Sequence, residues 1–265
     1  MRKYLYPCLA LLLGGAGCAL RRWQLATCFD ENGLPVPGRA TELLIALTVC
    51  GVVCFLLLTQ TRRTAARDWL GAFGPGPRLE LLPGGVLYLA AGAAYVLWTR
   101  QSEPASSVFR AINVVLPVVL GAALFLSGAA VCLLARRGAA EPLAAMAPGF
   151  CSCFWLIQIY HTNANDPVVQ VFVWQLLAAV ASVAAWYYLA GFSLGIGKGR
   201  TTLFWSMTAV TLSLVALADD GALFTRLLLA AQVVCLPAQL PRLAAGMEHA
   251  GRTEPRSSSQ EAADL

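Results

Sequence analysis

Long apolar runs separated by short polar stretches dominate this sequence. A run of about 20 apolar residues is long enough to cross roughly 30 Å of hydrocarbon as a helix, and a helix satisfies its own backbone hydrogen bonds in lipid. The runs that we interpret as spans are 1–20, 42–60, 81–98, 111–135, 148–161, 167–192, 202–218 and 222–240. The pattern therefore predicts an all-α fold, a polytopic transmembrane helical bundle with about eight spans.

One connecting stretch has a pattern of its own. Residues 61–78 combine four arginines with Trp69, Leu70 and Phe73, and they end in the turn-forming sequence Gly-Pro-Gly-Pro at 74–77. Basic residues interleaved with large apolar ones are typical of a short helix that lies along the membrane surface. We therefore expect a surface helix between the second and third spans.

The composition agrees with lipid as the main solvent of the chain. Of 265 residues, 58% are hydrophobic and 12% are charged, whereas soluble proteins have about 25% charged residues. The net charge of +5 belongs to the loops of a membrane protein, so it does not indicate a nucleic-acid partner. The partner that the composition predicts is the lipid bilayer.

Lysine and arginine are unevenly divided between the two sides of this bundle. The termini and the alternate connections on their side hold 13 of them, and the other connections hold 6. The positive-inside rule then favours both termini in the cytoplasm. We divide the chain into a transmembrane domain, 1–241, and a polar, serine-containing tail, 242–265, that is predicted to be disordered and cytoplasmic.

The polar stretches 21–38 and 160–167 are similar to those of uncharacterised bacterial multi-pass integral membrane proteins. The resemblance covers most of the chain. It implies a location in the cell inner (cytoplasmic) membrane of a bacterium, and it implies no activity.

The densest group of hydrogen-bonding side chains surrounds the polar connection at 162–167. Residues three or four apart share a helix face, which places Gln158 with His161 and Asp166 with Gln170. The topology puts this group on the outer side, together with Arg21, Arg22, Arg100, Arg110, Asp219 and Asp220. The residues predicted to bind a small polar solute in an outward-facing pocket are Trp155, Gln158, His161, Asn163, Asp166, Gln170 and Trp174.

Helix capping explains part of this group equally well. Asn163 suits the left-handed position that follows a helix. Asp166 followed by Pro167 suits a cap and the first turn of the next helix. Capping needs no ligand, so the structural and the ligand-binding interpretations both remain open.

The sequence contains little that indicates catalysis. Its two histidines, His161 and His249, fall in a span and in the tail, and no H-E-x-x-H or G-x-S-x-G motif occurs. No catalytic residue, metal or cofactor is therefore predicted. The acidic residues fall at span ends, which argues against transport driven by a buried carboxylate, and Gln232 and Gln239 are expected to join helices by hydrogen bonds.

Three function classes follow from these observations. The first is binding or passage of a small polar solute at the outward-facing pocket. The second is a non-transporting sensor or subunit that docks a protein partner. An intramembrane enzyme is the third and least favoured class.

Overall fold

The computed structural model describes residues 2–30, 34–61, 67–101, 110–138, 141–163 and 168–253. Its helices are α1 (Leu5–Thr27), α2 (Arg39–Gln60), α3 (Trp69–Phe73), α4 (Leu82–Gln101), α5 (Arg110–Arg137), α6 (Pro142–Asn163), α7 (Val169–Ala190), α8 (Gly199–Ala216) and α9 (Leu223–Thr253). Within these ranges there is no β-strand, and one isolated bridge joins Phe29 to Pro35. Each predicted span overlaps a helix, so the all-α prediction is confirmed.

In the described part of the chain, six helical segments are long and apolar enough to cross a membrane. They are Arg39–Gln60, Leu79–Gln101, Val114–Arg137, Pro142–Asn163, Gln170–Leu194 and Leu223–Glu248. These segments make the chain a multi-pass membrane protein by length and composition. The expected number of eight is not reached, because α1 includes Arg21 and Arg22 near its end and α8 contains six serine and threonine residues.

The position of α8 accounts for its polar composition. This helix packs against α1, α2, α7 and α9, and 13 of its 18 residues are buried. Some of its hydroxyl groups find acceptors inside the bundle, as when Thr211 donates to the carbonyl of Ala10 at 3.2 Å. The buried hydroxyls of Ser206 and Ser213 have no hydrogen-bond partner among the described residues. A helix that neighbouring helices shield from lipid does not need the apolar surface of a lipid-facing span.

A buried glutamine joins three helices beside α8. The Trp186 indole on α7 donates to Gln232 Oε1 of α9 at 2.7 Å, and Gln232 Nε2 donates to Ser152 Oγ of α6 at 3.1 Å. The expected helix-joining role is confirmed for Gln232. It is wrong for Gln239, whose amide atoms are buried and have no hydrogen-bond partner in the described part of the chain.

Two helix boundaries differ from the predicted spans because proline lies inside a helix. The fifth span was expected to begin at Pro148, whereas α6 begins at Pro142. The last helix continues through Pro241 to Thr253, with Leu243 and Met247 buried. It therefore enters the segment predicted to be the tail, and residues 254–265 lie outside the described residues.

The predicted surface helix is present as the short helix α3. Asp68 caps the first turn of α3 by accepting from the Gly71 amide at 3.0 Å. The helix ends at Phe73, and the residue that follows it, Gly74, has a φ of +73°. Trp69 and Phe73 point into the protein, while Leu70 is 56% exposed. The aromatic side chains of α3 are therefore packed against the rest of the protein, and its position on a membrane surface stays a prediction.

Helices α4 and α5 approach each other closely at positions occupied by glycine. A Cβ atom on Gly128 would lie 2.6 Å from the Leu89 side chain and 3.0 Å from the Gly85 carbonyl oxygen. A Cβ atom on Gly121 would meet the Tyr95 ring at an ordinary 3.7 Å. Close packing between these two helices therefore depends on Gly128.

We expect Gly128→Ala to lower the free energy of unfolding by about 1–3 kcal/mol, because the backbone of α4 must move away to admit the methyl group. Gly15→Ala is the matched control, since a Cβ atom there meets nothing within 4 Å. Melting temperatures in detergent measure both effects. Equal melting of the two variants would contradict the close contact.

Candidate functional site

A buried arginine ties three parts of the bundle together at one end. Arg21, near the end of α1, is fully buried, and its Nε donates to Asp219 Oδ1 at 2.7 Å. Its Nη1 donates to Gln24 Oε1 at 2.7 Å, and its Nη2 donates to the carbonyls of Gln170 and Val171 at 3.2 and 3.1 Å. Every nitrogen of the guanidinium therefore has an acceptor, which a buried charge requires.

Asp219 lies in the connection between α8 and α9 and is only 5% exposed. Burial raises the pKa of its carboxyl group, and the neighbouring Arg21 opposes that rise. The second carboxylate oxygen, Oδ2, has no hydrogen-bond partner among the described residues, although the Gln175 side chain approaches the carboxylate. Asp219 lies at a span end as predicted, but its burial is a feature that the sequence did not indicate.

A cavity of about 290 Å³ lies beside this ion pair. The aromatic residues Trp98, Trp155, Phe172 and Phe224 line it, and so do the polar residues Arg21, Gln158, Thr162, Asn163, Gln175, Asp219, Asp220 and Thr225. The cavity therefore combines flat apolar walls with hydrogen-bonding groups contributed by several helices.

Gln158 connects the polar and aromatic parts of the cavity. It is 8% exposed and donates from Nε2 to Thr162 Oγ1 at 3.0 Å, while the Tyr95 hydroxyl approaches its Oε1 at 3.5 Å. Tyr95 packs edge-on against Phe224, with ring centroids 4.8 Å apart. Because the contact from Tyr95 is long, Gln158 Oε1 keeps most of its capacity to accept another hydrogen bond.

The structure brings three of the predicted site residues into the cavity. Trp155, Gln158 and Asn163 line it. The other described candidates, His161, Gln170 and Trp174, do not. Asp166 and Pro167 lie outside the described residues.

Helix geometry separates the predicted residues from one another. His161 follows Gln158 by three positions but is partly exposed, and the Gln170 side chain is exposed although its carbonyl accepts from Arg21. Trp174 is buried within the apolar core. Spacing shows which residues share a helix face, but it does not show which part of that face points into the cavity.

Asn163 is the last residue of α6 and not the left-handed residue after the helix, so that part of the capping interpretation is wrong. Its Nδ2 donates to the Ile159 carbonyl at 2.8 Å, which satisfies an acceptor in the last turn of α6. The same residue also lines the cavity. A structural hydrogen bond and a place in the pocket are therefore compatible at this position.

The predicted site did not include several residues that line the cavity. They include Arg21, Trp98, Gln175, Asp219 and Phe224. One sequence signal was available for Arg21, because an arginine embedded in a long, mostly apolar helix needs a partner. The sequence alone does not identify that partner.

Within the described ranges, no three His, Cys, Asp or Glu residues lie together as metal ligands. Comparison with known protein families, curated proteins and solved structures finds no match for this chain. The chemistry of the cavity is therefore what points to a function.

Removing one partner of the Arg21–Asp219 pair is expected to be costly, because the other charge stays buried without its counterion. We expect Asp219→Asn to lower the free energy of unfolding by about 3–5 kcal/mol. Asp220→Asn should change it little, since Asp220 is 92% exposed. Thermal or denaturant unfolding in detergent measures both.

The double variant Arg21→Met, Asp219→Asn tests the coupling between the two side chains. We expect its loss to be smaller than the sum of the single losses by about 1 kcal/mol or more, because the second change removes a charge that the first left unpaired. Strictly additive losses would mean that the pair does not act as a unit.

Proposed function

We propose that this protein binds a small polar solute, or lets it pass, at an outward-facing pocket in a bacterial inner membrane. In this proposal the chain crosses the membrane eight times, with α1 and α8 as spans and both termini in the cytoplasm. The unequal distribution of Lys and Arg supports that orientation. It puts the end of α1, the end of α6 and the α8–α9 connection on the outer side.

The observation that carries the proposal is the unpartnered Asp219 Oδ2 beside a cavity. A buried carboxylate oxygen without a hydrogen-bond partner is costly, so it is rarely kept without a purpose. Asp219 lines a cavity of about 290 Å³, which is close to the lower end of the range of small-molecule pockets, roughly 300 to 1,000 Å³. A cavity of this size suits a solute of a few heavy atoms.

The lining favours a solute that donates hydrogen bonds, above all one with an ammonium group. Gln158 Oε1 and Asp219 Oδ2 are acceptors with remaining capacity, whereas the Arg21 nitrogens already bond to protein acceptors. Trp98 and Trp155 offer aromatic faces, to which cations are attracted. A carboxylate solute would meet the Asp219 charge and is disfavoured.

The competing role as a sensor or docking subunit has less support. The residues whose substitution would test it, Arg62 and Arg63 in the basic stretch 61–78, lie outside the described residues. An enzyme would need a nucleophile and a base within hydrogen-bonding reach of each other. Two threonines and two aspartates line the cavity, but the bond found for the Thr162 hydroxyl is to Gln158 and not to a carboxylate. Solute binding is therefore the function that the cavity favours.

A thermal-shift screen of the detergent-purified protein tests this function with matched primary amines, alcohols and carboxylates. We expect an amine to raise the melting temperature of the wild type and of His161→Ala, because His161 does not line the cavity. Gln158→Leu and Asp219→Asn should lose this response. Gln175→Leu gives a further pocket variant in which the ion pair is intact.

Two results of that screen would contradict the proposal. One is the absence of any stabilising solute for the wild type. The other is an equal response in the wild type and in all three pocket variants, which would place binding elsewhere.

Binding of an amine is also expected to weaken on acidification. Burial raises the pKa of Asp219 above its ordinary value of 3.8, so this carboxylate takes up its proton at a higher pH than an exposed aspartate. Protonation removes the charge that attracts the ammonium group. Titration calorimetry between pH 7 and pH 5 should show falling affinity in the wild type and in His161→Ala, whose side chain does not line the cavity, and no measurable binding at either pH in Asp219→Asn.

A further inference from the structure

A second buried arginine lies at the opposite end of the bundle. Arg78 follows the turn after α3 and is 1% exposed, and its backbone amide donates to the Ala135 carbonyl at 2.6 Å. Its guanidinium carbon lies 4.5 Å from the centroid of the Trp69 ring and 4.8 Å from that of Phe73. The Trp69 indole is itself fixed by a hydrogen bond to the Gly138 carbonyl at 3.1 Å.

The guanidinium of Arg78 has no hydrogen-bond acceptor in the described part of the chain. Its Nε, Nη1 and Nη2 are all buried and unpaired, in contrast to the fully bonded Arg21. The nearby carboxylate of Glu80 pairs with Arg242 at 2.9 Å. Burial and the charge of Arg242 lower the pKa of Arg78 to about 10, so the side chain still carries its charge at neutral pH.

The two aromatic rings compensate only part of the cost of burying the Arg78 guanidinium. They attract the cation through their π faces, but the N–H donors of a guanidinium lie in its plane and require oxygen acceptors. The planar fork of donors matches two oxygens of one phosphate group, and such bidentate pairs are among the strong hydrogen bonds of proteins. We infer that Arg78 holds a phosphate group at this end of the bundle.

A phospholipid is the source of phosphate that the surroundings favour. Leu70 on α3 and Leu79, which follows Arg78, are 56% and 60% exposed, so apolar surface adjoins the buried cation. Arg242 remains partly exposed beside this surface, with its charge paired to Glu80. A phospholipid presents its phosphate beside its acyl chains, which matches this arrangement at a membrane surface.

The test uses the full chain, purified in detergent and stripped of lipid. The probes are dioctanoyl phosphatidylglycerol, dioctanoylglycerol, which has the same acyl chains but no phosphate, and inorganic phosphate. Arg78→Met keeps an apolar side chain against the rings without the charge, and Arg78→Lys keeps the charge without the fork. Arg137→Gln is the control, because Arg137 is a 65% exposed cation that pairs with Glu141.

We expect phosphatidylglycerol to raise the melting temperature of the wild type and of Arg137→Gln. Arg78→Met should lose that shift, with an apparent affinity lower by about tenfold or more, and Arg78→Lys should retain only part of it. Dioctanoylglycerol should have no effect. Without lipid, Arg78→Met should melt no lower than the wild type, because the unpaired buried charge is gone.

The probes distinguish the sources of phosphate. Protection by inorganic phosphate that depends on Arg78 would support the site and assign it to a free phosphate. An equal shift by phosphatidylglycerol in wild type and Arg78→Met would overturn the inference. So would an equal shift by dioctanoylglycerol and phosphatidylglycerol in the wild type.

Discussion

The buried pair of Arg21 and Asp219 is the constraint on which the candidate site depends. A guanidinium that is removed from water and membrane surface is stable only where several acceptors meet it, since an uncompensated buried charge costs several kcal/mol. Here the acceptors come from α1, from the start of α7 and from the α8–α9 connection. One side chain thus fixes the relative positions of helix ends that are far apart in the chain, and the cavity lies between them.

The two buried arginines differ in how the protein compensates their charge. Arg21 is neutralised by an aspartate and surrounded by oxygen acceptors, so it is part of the scaffold. Arg78 is held by the faces of Trp69 and Phe73 while its in-plane donors stay unpaired. All guanidinium nitrogens of Arg21 have acceptors within the protein, whereas those of Arg78 could still donate to an anion. The ends of the bundle therefore offer different chemistry, acceptors at one and a donor fork at the other.

The helices were predictable because the length of an apolar run can be read from the local sequence. A long apolar run indicates a segment that is buried in lipid or in protein. The start of α6 was not, because the expected span began at about Pro148, which lies inside the helix. The sequence led to Trp155, Gln158 and Asn163, which line the cavity, because polar side chains cluster near one connection. The partnership of Arg21 with Asp219 spans 198 positions, and no local pattern relates residues at that distance. Tertiary packing decides which of the many polar residues at a span end become buried together.

The enclosed position of α8 has a consequence for how the protein is made. On the proposed topology this helix must enter the bilayer, yet its serine and threonine residues and Arg200 give the translocon a weaker signal than its neighbours provide. Its polar groups are shielded only when α1, α7 and α9 are beside it. On that topology, α9 covers its side of α8 only after α9 has itself been synthesised and inserted. A chain that stops before α9 leaves the polar groups of α8 without one of the helices that shield them from lipid.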